Sequence, residues 1–205
     1  MPGSSICRVV VLVSGTGTLL QALIDATEDP SYGVEIVGVG ADRDHIPALE
    51  RAERAGIATF VHPLPRGADR TEWDRQLTAQ VLELEPDLVV SAGFMKLVGE
   101  HFLAEFGGRM INTHPALLPS FPGMHGPRDA LAHGVKVSGA TVFLVDAGVD
   151  SGVILAQAAV PVLDDDSVES LHERIKVVER DLLLSTTHQL ATSKWYVTDR
   201  KVHWD

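Results

Sequence analysis

The chain alternates between short, almost unbroken apolar runs and longer stretches whose apolar residues recur at helical spacing. Cys7–Val13 (CRVVVLV) is β-branched and nearly continuous, the pattern of a strand buried on both faces. It breaks at Ser14-Gly15-Thr16-Gly17, after which Thr18–Thr27 reads as a helix. Val34–Gly40 reads as a second strand, Ile46–Ala55 as a helix closed by Gly56, and Ala58–Val61 as a short third strand. Arg70–Glu85 is a longer helical stretch halted by Pro86. Leu88–Ala92 and Arg109–Asn112 add two strands, with a short helix at Gly99–Phe106 between them. Strand and helix alternating at this pitch imply parallel strands joined by crossover helices: an α/β fold with a doubly wound, mostly parallel, Rossmann-like sheet.

The second half changes character. A proline- and glycine-rich segment runs from Pro115 to Gly126, followed by a helix near Pro127–His133. Val137–Val145 and Val153–Val162 read as strands around a turn at Ala147–Gly152, the spacing of a late antiparallel hairpin on the parallel core. Asp166 is placed to cap the next helix, with Glu169 as a capping-box acid, and that helix runs to about Leu190. Lys194–Trp204 (KWYVTDRKVHW) reads as a last hairpin turning at Thr198-Asp199. No repeat, linker or low-complexity stretch interrupts the pattern, so residues 1–205 are expected to form a single domain.

Composition narrows the classes. With 45% hydrophobic and 22% charged residues the chain reads as globular, and no apolar run approaches the ~20 residues of a membrane span. The opening residues Met1–Arg8 carry no basic stretch followed by an apolar segment, so a cytoplasmic location is expected. The one cysteine, Cys7, fits a reducing compartment. A net charge of -11 with no basic block argues against nucleic acid and against a membrane as partner, while leaving a small anionic substrate open. The chain is expected as a monomer or homodimer.

Three places could carry chemistry. The turn Ser14-Gly15-Thr16-Gly17-Thr18 joins the first strand to a helix, where backbone N–H groups can cradle a phosphate. It lacks the third glycine of a dinucleotide fingerprint, Leu20 standing there, and it reads equally as a tight turn or an anion site. Asp42 and Asp44 follow the second strand, where a ribose-binding acid would stand, but Asp44 reads better as the cap of the next helix.

Asn112-Thr113-His114-Pro115-Ala116-Leu117-Leu118-Pro119 puts an amide and an imidazole two residues apart at a strand end, on one face. An amide N–H can hold an oxygen that gains charge, and an imidazole can carry protons, the two needs of acyl transfer to an amine. Taken alone, the pair reads about equally as polar boundary residues. Asp150, in the turn between two late strands, would stabilise a charged imidazole if it approached His114. The histidines form no tight pair of metal-ligand spacing and Cys7 is alone, so no metal is expected. Asp164-Asp165-Asp166 reads as a solvated loop and helix cap rather than a metal cluster.

At these residues the chain resembles the small folate-dependent phosphoribosylglycinamide formyltransferases over nearly its whole length. VLVSGTGTLLQALIDA is similar to that family's opening strand and phosphate loop, AGFMKLV to its folate segment, and NTHPALLPSFPGMHG followed by DAL to its catalytic loop. VDAGVDSGVILAQAAVPV and LHERIKVVE resemble its late hairpin and helix. The resemblance implies formyl transfer from 10-formyltetrahydrofolate, a co-substrate, to the amine of glycinamide ribonucleotide in purine biosynthesis, without a metal. It implies a phosphate-binding half of about residues 1–106 and a folate and catalytic half of about 107–205.

Carried over by position, His114 is the proton shuttle, Asn112 binds the formyl oxygen, and Asp150 raises the His114 pKa and orders a water. Gly17, Thr18 and Leu19 hold the ribonucleotide phosphate; Glu179 and Lys176 meet the acceptor. Arg70, Met95, Lys96, Leu97 and Val98 line the folate site, together with Asn112. Two positions depart from the family: Leu19, often Asn, and Phe143, usually His. The first removes a side-chain contact to phosphate and the second a polar group near Asp150.

Alternatives share parts of this pattern. A 10-formyltetrahydrofolate hydrolase shares the catalytic residues but usually carries an added regulatory domain. A methionyl-tRNA formyltransferase has an Arg-Gly pair where this chain reads Met124-His125-Gly126. A sugar-nucleotide formyltransferase shares the Asn-x-His core, but the Gly-x-Gly loop favours a ribonucleotide monophosphate. A non-catalytic binding module would not need Asn112, His114 and Asp150 together.

Overall fold

The computed structural model describes residues 6–204, so most of the opening segment read above for an export signal lies outside the described residues. The chain divides into two compact units, one ending at Ile111 and the other beginning at Asn112.

In the first unit, β1 (Cys7–Val13), β2 (Val34–Ala41), β3 (Thr59–Val61) and β4 (Leu88–Ser91) are parallel neighbours. Val9 to Val13 of β1 have no exposed surface, which is why their sequence is apolar without alternation. The helices α1 (Thr18–Ala26), α2 (Pro47–Arg54), α3 (Arg70–Leu82) and α4 (Glu100–Phe106) connect and cover these strands. Phe102 and Phe106 of α4 are fully buried with ring centroids 4.6 Å apart.

The second unit holds most of β5 (Met110–His114), then α5 (Gly126–Ala132), the antiparallel pair β6 (Val137–Leu144) and β7 (Ile154–Pro161), and α6 (Val168–Thr192). Ala140, Val160, Leu171 and Ile175 form the core between the β6–β7 pair and α6. A separate two-stranded hairpin, β8 (Trp195–Thr198) with β9 (Lys201–Trp204), closes the described chain. The seven strands of the main sheet run in the order β3-β2-β1-β4-β5-β6-β7, so the expected doubly wound, mostly parallel sheet with a late antiparallel hairpin is what the chain forms.

Several local expectations need correction. Asp44 does not cap α2: the N-cap is Ile46, extended ahead of Pro47, and the first N–H after the proline, on Ala48, goes to the Gly15 carbonyl at 3.2 Å. α3 stops at Leu82 rather than Glu85, because Glu85 turns left-handed (φ 48) before Pro86. The Arg8 guanidinium donates to the Leu84 and Glu85 carbonyls freed there. Asp166 does not cap α6 and Glu169 completes no capping box. Ser167 and Ser170 form that box, while Asp166 is drawn to the Arg174 guanidinium and accepts the Leu163 N–H at 2.8 Å. The Arg174 hydrogen bond holds the Asp166 carboxyl far below the usual carboxylate range. The last hairpin turns one residue later than expected, on Asp199 and Arg200, both left-handed at φ 48 and 61.

Candidate active site

β5 runs two residues beyond the expected end, so Asn112, Thr113 and His114 are strand residues. Alternation sends Asn112 and His114 to one face and Thr113 to the other. His114 is buried and held at both nitrogens. Nε2 lies 2.7 Å from the Phe121 carbonyl oxygen, and since a carbonyl only accepts, Nε2 carries a hydrogen. Nδ1 lies 3.4 Å from Asp150 Oδ2, so a proton on Nδ1 completes an ion pair. Asp150 Oδ2 also accepts the Gly123 N–H at 2.7 Å, which ties the carboxylate to the loop that carries the Phe121 carbonyl. Gly126 packs closely here: a Cβ on it would sit 3.3 Å from His114 Nε2 and 3.0 Å from the Pro115 carbonyl oxygen.

The loop after β5 is fixed from the hairpin. The buried Thr141 hydroxyl of β6 donates to the Ala116 carbonyl at 2.7 Å and accepts the Leu118 N–H at 3.0 Å. Gln157 of β7 donates to the Leu118 carbonyl at 2.8 Å and to the Thr141 hydroxyl at 3.0 Å. The Leu118–Pro119 peptide is cis. Phe143, on the same hairpin, is buried, and its ring lies against Gly152, two residues after Asp150.

Thr113 donates to Glu179 of α6. Burial pushes the Glu179 carboxyl up, opposed by that hydrogen bond and by the nearby charges of His114 and Lys176. The Lys176 ammonium itself is bonded to Glu173 at 2.6 Å on the exposed side of the helix.

In the first unit, α1 begins at Thr18 with Gly17 as N-cap, left-handed at φ 70, and no side-chain cap and no acid in its first turn. A Cβ on Gly17 would lie 2.7 Å from the Ala48 Cβ, so the turn has room for glycine alone. Arg51 steadies it, donating to the Thr16 carbonyl at 2.9 Å and to Gln21 at 3.0 Å.

A second cluster stands at the carboxyl ends of β1, β2 and β4. Ser14 Oγ accepts the Met95 N–H at 2.8 Å and donates to Asp42. Asp42 is buried and also pairs with Arg43 at 2.9 Å and Lys96 at 3.3 Å. Burial alone would raise the Asp42 carboxyl, but the hydrogen bonds from Arg43, Ser14 and Lys96 hold it below its ordinary value. Met95 and Leu97 stand 61% and 59% exposed, an apolar surface on which a flat ring can lie. Arg70 is fixed beside them, donating to the Leu97 carbonyl at 2.8 Å. The segment ends at Gly99, where Asp74 of α3 accepts the N–H groups of Gly99 and Phe102 and so caps α4 from outside.

Of the residues expected from the sequence, His114 and Asp150 meet, Glu179 reaches Thr113 beside His114, and Arg70 meets Leu97. Lys176 and Lys96 are each engaged with a carboxylate, Glu173 and Asp42. Thr113, Thr141, Gln157, Ser14 and Asp42 were not foreseen as parts of these clusters. A threonine within the buried run of β6 was the one available signal. Among the described residues no group of three or more His, Cys, Asp or Glu is arranged to hold a metal, and no helix is long and apolar enough to cross a membrane.

Comparison with known proteins matches the formyl transferase family model to residues 7–187. The phosphoribosylglycinamide formyltransferase of Mycobacterium tuberculosis (strain CDC 1551 / Oshkosh) is 55% identical over 192 residues, 94% of this chain and 88% of that protein. The trifunctional purine biosynthetic protein adenosine-3 of Drosophila melanogaster is 45% identical over 174 residues, covering 84% of this chain and 13% of that protein. The crystal structure of glycinamide ribonucleotide transformylase 1 from Symbiobacterium toebii superposes with a TM-score of 0.94 at 40% identity, over 98% of this chain and 95% of that one.

Proposed function

The chain belongs to the formyl transferase family, and from that premise we propose how it works: it moves a formyl group from a folate donor to the amine of glycinamide ribonucleotide, a step of purine biosynthesis. The donor is read as 10-formyltetrahydrofolate. The observation that carries this reading is the setting of His114, its Nε2 on the Phe121 carbonyl and its Nδ1 facing Asp150. With Nε2 anchored on a carbonyl, Nδ1 can take and release a proton beside Asp150 while the ring keeps its place.

In this reading Asn112 donates to the formyl oxygen as charge grows on it while the acceptor amine adds. The His114–Asp150 pair, with an ordered water, carries the proton that the amine loses towards the departing nitrogen of the donor. The N–H groups of Gly17, Thr18 and Leu19 bind the ribonucleotide phosphate; the absence of a side-chain cap or an acid in the first turn of α1 supports this. Glu179, with Lys176 as a further contact, meets the acceptor. Arg70, Met95, Lys96, Leu97 and Val98 bind the donor. The exposed Met95 and Leu97 suit its ring, and the remaining N–H groups of Arg70 suit its carboxylates. The first unit thus does the phosphate work and supplies donor contacts; the second does the chemistry.

A spectrophotometric assay with a 10-formyltetrahydrofolate analogue, run with and without glycinamide ribonucleotide, tests this. Deformylation that requires the ribonucleotide and yields formylated product supports it. Deformylation without any acceptor makes the chain a hydrolase and overturns it. Folate binding without turnover points to another acceptor or to a site disabled at Phe143, which Phe143→His separates.

A further inference from the structure

Asp150 lies in a loop between β6 and β7 that has no regular structure to hold it. The Asp146 carboxylate organises the loop from within, accepting from the Gly148 N–H at 3.0 Å and the Ser151 hydroxyl at 2.7 Å. Asp150 is itself left-handed, φ 52, a conformation that needs support on both sides. On the side before it, the Gly123 N–H holds the carboxylate. On the side after it, the support comes from the β8–β9 hairpin. Nη2 of Arg200 donates to the Ser151 carbonyl at 2.6 Å and to the Gly152 carbonyl at 3.1 Å.

The hairpin is built to hold that guanidinium still. Its strands pair from Trp195 with Trp204 to Thr198 with Lys201, and Tyr196 stacks on His203 with ring centroids 4.9 Å apart. Thr198 Oγ1 and His203 Nε2 add a hydrogen bond at 2.9 Å. Arg200 is the second residue of the tight turn, at φ 61, where glycine would be free of strain. An arginine at a position that favours glycine has a use beyond making the turn.

We propose that Arg200 is a positioning residue for the transfer reaction: by clamping the two carbonyls that follow Asp150, it keeps the carboxylate in register with His114. The inference rests on the reading of His114 and Asp150 as the proton-carrying pair. Arg200 touches neither of them and acts only through the backbone of the loop.

The test compares Arg200→Gly, Arg200→Lys, Asp150→Ala and the double variant of Arg200→Gly with Asp150→Ala in the ribonucleotide-dependent assay. Arg200→Gly relieves the turn and removes only the clamp, so the hairpin persists and the melting temperature stays with the parent. Its kcat is expected to fall about 10-fold with KM for both substrates unchanged, the size expected when a reacting group is displaced by a fraction of an ångström. Arg200→Lys recovers part of the loss through one donor, and the double variant is no slower than Asp150→Ala alone. Parental kcat in Arg200→Gly beside a crippled Asp150→Ala overturns the inference and leaves the catalytic reading intact. So does a loss that adds in full to that of Asp150→Ala, or one in which KM and melting temperature shift together. Parental kcat in Asp150→Ala sinks the catalytic reading, and this inference with it.

Discussion

The turn at Ser14–Thr18 and the cluster around His114 hold their working groups by different means. In the first unit the turn offers backbone N–H groups, shaped by a left-handed Gly17 pressed on Ala48 and a carbonyl steadied by Arg51. In the second, the working groups are side chains held by other parts of the chain: His114 by the Phe121 carbonyl and Asp150, the loop after it by Thr141 and Gln157. A backbone cradle is indifferent to most side-chain changes and intolerant of one glycine. A side-chain cluster is open to failure at every member.

Substitutions break or sharpen this contrast, and the largest effect belongs to the side-chain cluster. His114→Ala is expected to lower kcat by ~10²-fold or more with the fold kept, read from steady-state rates beside a circular dichroism spectrum. In the cradle, Gly17→Ala forces a Cβ onto Ala48 in a left-handed backbone and is expected to destabilise by about 1–3 kcal/mol. Denaturant titration measures that loss, and KM for the ribonucleotide should rise about 10-fold as the N–H groups swing away.

Thr141→Val keeps shape but strips the Leu118 N–H of its acceptor, a loss of about 1–3 kcal/mol in the same titration. Parental stability would show that the loop holds without the Thr141 hydroxyl, leaving Gln157 as its tie to the hairpin. Asp166→Asn tests a charge pair that anchors the start of α6. The folded Asp166 is more acidic than the unfolded one, so its contribution is present above the unfolded value near pH 4 and is lost as pH falls through the folded one. The variant should therefore melt below the parent at pH 7, with the gap closing as melts are repeated below pH ~4. The smallest change is expected from Leu19→Asn, which would add a side-chain contact to the backbone cradle proposed for the phosphate. KM for the ribonucleotide should fall by about threefold, the worth of one exposed hydrogen bond.

The sheet was legible because burial on both faces leaves an unmistakable mark: Val9 to Val13 are apolar without a break, and the strand falls where the run does. Helix ends were less so, because several groups compete for each. Asp44 and Asp166 are good caps by type, yet Pro47 leaves α2 without need of the first, and Arg174 takes the second. The Asn112–His114 spacing was readable as a shared strand face, and the family resemblance supplied Asp150. Thr113, Thr141, Gln157 and Arg200 escaped notice because their partners come from elsewhere in the chain. Gln157 and Thr141 are 16 residues apart, and Arg200 and Ser151 are 49. Only Thr141 left a local mark, a hydroxyl in the buried run of β6, and even that does not say which loop it serves.

The contact of Gly17 with Ala48 ties the Ser14–Thr18 turn to α2. Ala48 sits with its Cβ where a side chain at 17 would go, and its N–H bonds the Gly15 carbonyl. A side chain at 17 would meet the Cα of Ala48 as well as its Cβ, so even a glycine at 48 would not make room for it. Position 17 is thus held to glycine twice over, by its own left-handed turn and by the backbone of a neighbouring helix.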